Sequence, residues 1–215
     1  MNPVDISIYG IIDPARTKGR DLGVLASEAV AGGVTLLQYR HKSDDVREMI
    51  RQATAIREAV SGTGIPLLIN DRVDVALAVE ADGVHLGQSD MPADIARKIL
   101  GEEAIIGLTI KEKEHATNAP TDLLDYVCIG GVYETLSKDN PRSIGVEGWT
   151  ELAVHFHKAA PALPVGAIAG ITPKNMKPLL DAGADGVAII SAIFMQDDVK
   201  GAAQAFADKF SEMKS

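Results

Sequence analysis

Two aspartates follow two short apolar runs near the middle of the chain. Asp71 comes directly after Leu67–Asn70, and Asp90 comes four residues after Gly83–Leu86. An apolar helical face lies between the runs, so this stretch predicts a strand, a helix and a parallel strand with a right-handed crossover. Such a unit brings Asp71 and Asp90 to one edge of a sheet, at the carboxyl ends of neighbouring strands. Paired carboxylates there suit a hard cation that also binds phosphate oxygens, and Mg²⁺ is the usual one.

A plainer interpretation of each aspartate stays open. Aspartate after a strand is a common turn former and helix N-cap, and Asp71 could simply cap a helix that begins at Arg72. His85, which lies among apolar neighbours in the second run, is favoured as a hydrogen-bonded core residue over a ligand. The pair of aspartates at one edge is harder to explain as two unrelated caps.

A second polar group closes the predicted strand Val34–Tyr39. Gln38, Arg40 and Lys42 are spaced by two residues, so an extended chain would direct all three side chains to one side. Two cations and an amide make a suitable site for a charged oxyanion. The alternative is a solvated basic strand end.

Three later segments carry further polar residues at predicted strand ends. Thr109 ends a strand and Lys111 follows it, while the connection from 133 to 145 is the longest in the chain and is rich in hydroxyls and charge. Loops of this length are usually functional or disordered, although an ordinary polar loop is the alternative. The turns after the last two strands, around residues 168–173 and 190–192, resemble a phosphate site built from backbone N–H groups at a short helix.

The order of elements predicts a (β/α)8 barrel, formed as one domain by residues 1–215. Strands are predicted at 6–12, 34–39, 67–70, 83–86, 105–109, 126–130, 165–168 and 186–190, and helices at 22–31, 45–60, 73–79, 92–100, 111–117, 146–158, 173–182 and 199–213. The motif Ala-Asp-Gly-Val at 81–84 recurs at 184–187, with a looser copy at 124–127, and marks repeated helix-to-strand junctions. A doubly wound sheet would need a glycine-rich loop after the first strand, and residues 13–16 offer none.

Composition limits the classes of ligand. The chain has 215 residues, 46% of them hydrophobic, and a net charge of −9, which allows a sizeable core and argues against nucleic acid or a polybasic membrane patch. Small-molecule substrates are expected. The single cysteine, Cys128, lies in an apolar run and suits a reducing compartment, and the N-terminus resembles no signal peptide, so a soluble cytoplasmic protein is predicted. The oligomeric state stays open, a homo-oligomer included.

Five stretches of the chain resemble thiamine phosphate synthases: QYRHK at 38–42, LLINDRVDVALAVEADGVHLGQSD at 67–90, YETLSK at 133–138, AIAGI at 167–171 and GADGVAIISAI at 183–193. The resemblance covers nearly the whole chain, and the IND and HLGQxD pair is its most specific part. It implies an Mg²⁺-dependent transferase that couples 4-amino-2-methyl-5-pyrimidinylmethyl diphosphate with a thiazole phosphate, releasing pyrophosphate. A thiazole tautomerase of the same fold, or a non-catalytic diphosphate-binding barrel, is the alternative.

The resemblance also implies roles for individual residues, with no protein nucleophile among them. It assigns Mg²⁺ to Asp71 and Asp90. It assigns the pyrimidine diphosphate to Gln38, Tyr39, Arg40, His41, Lys42, Asn70, Thr109 and Lys138, and the thiazole phosphate to Thr135, Leu136, Ser137, Gly170, Ile190 and Ser191. The chain departs from the family pattern chiefly on the thiazole side, at Lys111, Gly131, Glu134 and Ala169.

Overall fold

The computed structural model describes residues 4–134 and 143–214, apart from the side chain of Lys214. Its eight strands are parallel, pair in chain order and close into a barrel through the pairing of the first strand with the last. The predicted (β/α)8 barrel is therefore confirmed. The strands are β1 Ile8–Ile12, β2 Leu36–Tyr39, β3 Leu67–Asn70, β4 Gly83–Leu86, β5 Ile105–Ile110, β6 Tyr126–Gly130, β7 Val165–Ile168 and β8 Gly186–Ile189.

Helices follow the strands on the outside of the barrel. They are α1 Leu22–Ala31, α2 Val46–Ala59, α3 Val73–Ala78, α4 Ala93–Leu100, α5 Lys113–Thr117, α6 Gly145–His157, α7 Lys177–Asp181, α8 Ser191–Phe194 and α9 Val199–Lys214, with short 3-10 helices at Pro14–Arg16 and Thr121–Leu123. No helix within the described ranges is long and apolar enough to cross a membrane.

Two of these helices differ from the sequence prediction. The helix predicted at 173–182 is shorter, because the side chain of Asn175 accepts a hydrogen bond from the Thr172 amide at 2.7 Å and donates one to the Gly170 carbonyl at 3.0 Å. These bonds hold the segment before α7 in a turn. The other difference is α8, a single turn between β8 and α9 that the predicted helices do not include.

Strand alternation divides the buried apolar residues into two layers. One cluster fills the barrel interior and includes Tyr9, Leu68, Tyr126 and Cys128, and the other packs between the sheet and the helices. Cys128 is 2% exposed on β6, which confirms its prediction as a buried strand residue. Alternate residues of each strand therefore point into the barrel, where a site can form at the open end.

The repeated motif at the helix-to-strand junctions has a common structural role. Asp82, Asp125 and Asp185 each accept a hydrogen bond at 2.8 Å from the backbone amide at the start of the preceding strand. Each aspartate also donates its own amide to the carbonyl of that same residue. The motif thus locks the amino ends of neighbouring strands in register. Asp125 additionally binds Arg97, whose guanidinium is 2.9 Å away and largely buried.

Replacing Asp125 by alanine is expected to destabilise the barrel by about 3 kcal/mol. The change leaves the Ile106 amide without its acceptor and the buried Arg97 without its carboxylate, and unpaired buried charges cost about this much. Urea unfolding of the variant measures the loss. Asp122→Ala, which removes an exposed carboxylate three residues away, is the matched control and should change the free energy of unfolding by less than about 0.5 kcal/mol. Equal stability of both variants would contradict the structural role of the motif.

Candidate active site

A cleft opens at the carboxyl end of the barrel. It encloses about 330 Å³, including the space open to solvent, and each of the eight strands, or the residue just after it, contributes to its lining. The lining residues are Tyr9, Ile11, Gln38, Arg40, Asn70, His85, Thr109, Cys128, Ile168 and Ile190. Five of the residues assigned from the resemblance, namely Gln38, Arg40, Asn70, Thr109 and Ile190, therefore share one cleft.

The two cations after β2 are each held by a carboxylate. Arg40 forms a salt bridge with Asp13, which is 6% exposed and also accepts a hydrogen bond from the Ala15 amide at 3.0 Å. Lys42 forms a salt bridge with Asp71, and its side chain is 57% exposed. Asp13 therefore orients the Arg40 guanidinium, while the Lys42 ammonium stays accessible to a ligand. Asp13 is not among the residues predicted from the sequence, although its position just after β1 is one where barrel active-site residues gather.

Asp71 has an unusual backbone conformation. Its φ is 62°, in the left-handed region that aspartate tolerates better than most residues. Its amide donates to the His85 carbonyl at 2.9 Å, which ties the end of β3 to β4. The N-cap of α3 is Arg72, without a side-chain cap, so the capping interpretation of Asp71 is wrong. This conformation instead turns the Asp71 carboxylate toward Lys42 and Asp90.

Asp90 approaches Asp71 from the loop after β4. Its carboxylate accepts a hydrogen bond from the Gly87 amide at 2.6 Å, so the turn-forming interpretation of Asp90 is also correct. Burial and a hydrogen bond with Asp71 raise the pKa of Asp90. Burial opposes ionisation of Asp71 as well, but hydrogen bonds from Asp90 and Lys42 outweigh it and lower the pKa of Asp71. The two carboxyls lie side by side, so ionisation of one opposes ionisation of the other.

This pair fits a divalent cation that also binds a ligand. A bound cation would favour the charged form of both carboxyls and offset the repulsion between them. No group of three or more His, Cys, Asp or Glu side chains is arranged for metal binding within the described part of the chain. A cation held by Asp71 and Asp90 would therefore need further oxygens from water or from the ligand, as Mg²⁺ commonly does with phosphates.

Asn70 supplies a donor inside the cleft. The residue is 8% exposed, and within the described residues its Nδ2 makes no hydrogen bond of good geometry, although the amide is close enough to Asp71 to help lower the pKa of that carboxyl. A buried amide nitrogen without a partner costs free energy, and a ligand acceptor would satisfy it. Asn70 is therefore a candidate ligand-binding residue.

A chain of hydrogen bonds crosses the floor of the cleft. Gln38 Nε2 donates to Tyr9 Oη, which lies 2.7 Å from Tyr126 Oη. His85 continues the chain, with Nδ1 2.8 Å from Tyr126 Oη and Nε2 2.8 Å from Thr109 Oγ1. The prediction of His85 as a hydrogen-bonded core residue is confirmed, and its side chain also lines the cleft. Tyr9 and Tyr126 are not among the residues predicted from the sequence, because tyrosine in an apolar strand resembles ordinary packing.

The residues after β7 and β8 border one side of the cleft. Ile190 borders the cleft and Ser191 begins α8. Arg20 donates to the carbonyls of Phe194 and, at 2.8 Å, Gln196, so its guanidinium holds the far end of that short helix. Gly170 has φ of 66°, and a β-carbon there would lie 2.4 Å from the Glu134 carbonyl oxygen. Gly170 therefore allows the loops after β6 and β7 to approach closely.

The structure does not bring every assigned residue into the cleft. Tyr39 points outward from β2 and its hydroxyl donates to Gln52 on α2 at 2.7 Å, and His41 contacts the same hydroxyl at 3.0 Å. Lys111 is exposed beyond β5. The remaining assignments, Thr135, Leu136, Ser137 and Lys138, lie outside the described residues.

Ala169 is strained, since its φ is 101°, a value that suits glycine. Ala169→Gly is therefore expected to raise the free energy of unfolding by about 1 kcal/mol, the difference between relieved strain and the added flexibility of glycine. Thermal or urea unfolding measures the change. Ala167→Gly, two residues earlier in the regular strand β7, is the control and should instead destabilise. A destabilised Ala169→Gly variant would contradict the inferred strain.

Comparison with known proteins gives consistent relatives. The family model of thiamine monophosphate synthase matches residues 8–193. A thiamine-phosphate synthase of Agrobacterium fabrum is 52% identical over 96% of this chain and 94% of its own length, and one of Clostridium tetani is 40% identical over 97% and 98%. The solved structure of a thiamine phosphate pyrophosphorylase from Pyrococcus furiosus is 33% identical, covers 99% of this chain and 98% of its own, and superposes with a TM-score of 0.85.

Proposed function

The chain belongs to the thiamine monophosphate synthase family and is a transferase with thiamine-phosphate synthase activity, and from this premise we propose how its cleft carries out the reaction. One observation carries the proposal. Asp71 and Asp90 lie side by side next to Lys42, and their neighbours in sequence, Asn70 and Arg40, line the cleft. Two carboxylates suited to Mg²⁺ beside two cations form a site for a diphosphate.

The cations and the amide of Asn70 hold the pyrimidine diphosphate. Arg40, fixed by Asp13, and Lys42, on the exposed side, donate to diphosphate oxygens, and Thr109 adds a hydroxyl. Mg²⁺ held by Asp71 and Asp90 would neutralise charge on the departing pyrophosphate. Gln38 and Asn70 lie deeper in the cleft, where they contact the pyrimidine ring.

The reaction is a substitution at the methylene carbon of the pyrimidine. The bond from this carbon to the diphosphate oxygen breaks first and its electron pair leaves with pyrophosphate. The thiazole nitrogen then donates its lone pair to form the new bond. The aminopyrimidine ring stabilises the positive charge that develops between these events. The protein forms no covalent bond to the substrate, so the site needs no nucleophile. No proton moves to or from the protein, so it needs no general base. This agrees with His85, both of whose ring nitrogens are already in contact with hydroxyls, those of Tyr126 and Thr109.

The thiazole phosphate binds on the opposite side, between the loops after β7 and β8. Backbone N–H groups near Gly170, Ile190 and Ser191 supply donors for its phosphate. Thr135, Leu136 and Ser137 are proposed for the same ligand, and Lys138 for the diphosphate, from the family pattern alone. The reacting nitrogen then faces the pyrimidine across the cleft, which makes the coupling effectively intramolecular.

An assay with both substrates and Mg²⁺ tests this function. The proposal expects equal amounts of thiamine phosphate and pyrophosphate to form, and both to disappear when EDTA removes the metal. A tautomerase would change the thiazole without releasing pyrophosphate, and a binding protein would retain both substrates unchanged. Either of those outcomes would overturn the proposal.

A further inference from the structure

The hydrogen-bond chain on the floor of the cleft has a direction. The amide nitrogen of Gln38 can only donate, so Tyr9 Oη accepts from it. Tyr9 has one hydroxyl proton left, and Tyr126 Oη lies 2.7 Å away to accept it. In this direction the Tyr126 proton points to His85 Nδ1, which then carries no hydrogen, and His85 Nε2–H donates to Thr109 Oγ1. The proton of Thr109 is left to donate into the cleft.

With Gln38 Nε2 as the donor to Tyr9, the opposite direction does not satisfy these groups. If Tyr126 donated to Tyr9, two protons would point at the Tyr9 oxygen, and the Tyr9 proton would lose both Gln38 and Tyr126 as acceptors. Both tyrosines are fully buried, and burial raises the pKa of each hydroxyl, so both protons stay in place. Buried donors without acceptors are costly, so the first direction is the stable one.

Space for this chain is built into the neighbouring strand. A β-carbon at Gly107 on β5 would lie 2.1 Å from the ring of Tyr126. Glycine at this position therefore lets the Tyr126 side chain cross the barrel and reach both Tyr9 and His85. These hydrogen bonds therefore belong to the packed interior of the barrel and are not chance contacts at its surface.

The direction decides what Gln38 offers to a ligand. Its Nε2 is engaged by Tyr9 and the residue lines the cleft, so its oxygen is the atom left to accept a hydrogen bond from a ligand. Asn70, on the neighbouring strand, presents a buried nitrogen donor. A 4-aminopyrimidine matches this pair, with a donor amino group beside an acceptor ring nitrogen. The 4-oxo analogue has the reverse pattern, an acceptor carbonyl beside a ring N–H donor.

We propose that Tyr9, Tyr126 and His85 act as positioning residues that fix Gln38 as an acceptor, and that this polarity selects an aminopyrimidine over its oxo analogue. The inference rests on the proposed function, because that function places the pyrimidine against Gln38. Substrate selectivity is thereby assigned to three residues, of which Tyr126 and His85 are linked to Gln38 only through Tyr9.

Tyr126→Phe gives the sharpest test. Without the Tyr126 hydroxyl, the Tyr9 proton loses its acceptor, and rotation of the Gln38 amide allows Tyr9 to donate to Gln38 Oε1. Gln38 then presents its nitrogen to the cleft. The probes are the amino- and oxo-pyrimidinylmethyl monophosphates, which carry no pyrophosphate leaving group, and calorimetry measures the two dissociation constants. We expect wild type to prefer the amino compound by at least about tenfold and Tyr126→Phe to remove or reverse that preference.

A purely structural role for Tyr126 predicts another result, since looser packing would weaken both ligands equally and keep their ratio. An unchanged ratio in Tyr126→Phe would therefore overturn the proposal. If this variant does not fold, Tyr9→Phe replaces it: Gln38 loses its partner, the ratio should fall toward one, and a wild-type ratio would again refute the inference. Tyr133→Phe, which deletes a hydroxyl that donates to the Asn175 carbonyl at 2.8 Å, should leave the ratio unchanged. A wild type without preference for the amino compound would also overturn the inference, whereas failure to form thiamine phosphate in the assay above would refute the proposed function.

Discussion

Asp71→Asn and Asp90→Asn are each expected to lower kcat/KM by about a thousandfold or more, because each variant removes one of the two carboxylates proposed to hold Mg²⁺ against the diphosphate. The loss should be larger at limiting Mg²⁺ and partly recovered at high Mg²⁺, since weaker metal binding is its cause. Steady-state kinetics at several Mg²⁺ concentrations measure it. Normal turnover of both variants at limiting Mg²⁺ would show that the metal assignment is wrong.

The same substitutions should leave the fold intact. Ionisation of Asp71 opposes ionisation of Asp90, so a neutral amide at either position relieves repulsion between the two side chains. Lys42 is exposed enough to remain solvated when its carboxylate partner is lost. The free energy of unfolding should therefore stay within about 1 kcal/mol of wild type. Asp94→Asn makes the same chemical change at an exposed position on α4 and should affect neither activity nor stability.

The barrel itself was predictable because its strands are parallel and buried on both faces. Such strands are short, nearly continuous apolar runs, and the observed bounds of Leu67–Asn70, Gly83–Leu86, Tyr126–Gly130 and Val165–Ile168 equal the predicted ones. The turn before α7 was not predictable from periodicity, because it depends on the side chain of Asn175. The one-turn helix α8 is too short to give a periodic signal.

The site was partly predictable from strand geometry. Alternation correctly placed Gln38 and Arg40 in the cleft, and the parallel crossover correctly brought Asp71 beside Asp90. The same alternation directs Tyr39 away from the cleft, so the motif that contains it mixes lining residues with packing residues. Asp13 was missed because its partner, Arg40, is 27 positions away. Such partners are brought together by the pairing of strands in the barrel, and the sequence around each residue gives no indication of the contact.

Arg40 and Lys42 provide the second large effect. Arg40→Ala and Lys42→Ala are each expected to weaken the pyrimidine diphosphate by about 10- to 100-fold, because each removes a charge-assisted contact to the diphosphate. Binding of the thiazole phosphate alone should change by less than about threefold, since it is proposed to bind near β7 and β8. Titration of each ligand separately measures the two effects, and Arg47→Ala, an exposed arginine on α2, is the control.

Arg40→Ala alone has a second consequence that must be separated from binding. It leaves the buried carboxylate of Asp13 without its cationic partner. The unpaired carboxylate destabilises the protein and places an uncompensated negative charge beside the diphosphate. The double variant Asp13→Asn/Arg40→Ala removes that charge while retaining a side chain that can accept from the Ala15 amide. It should recover the stability lost in Arg40→Ala but not the affinity for the diphosphate. Recovery of both stability and affinity would mean that Arg40 serves only to neutralise Asp13. In the single variants, equal weakening of the two ligands by Arg40→Ala and Lys42→Ala would contradict the proposed division of the cleft.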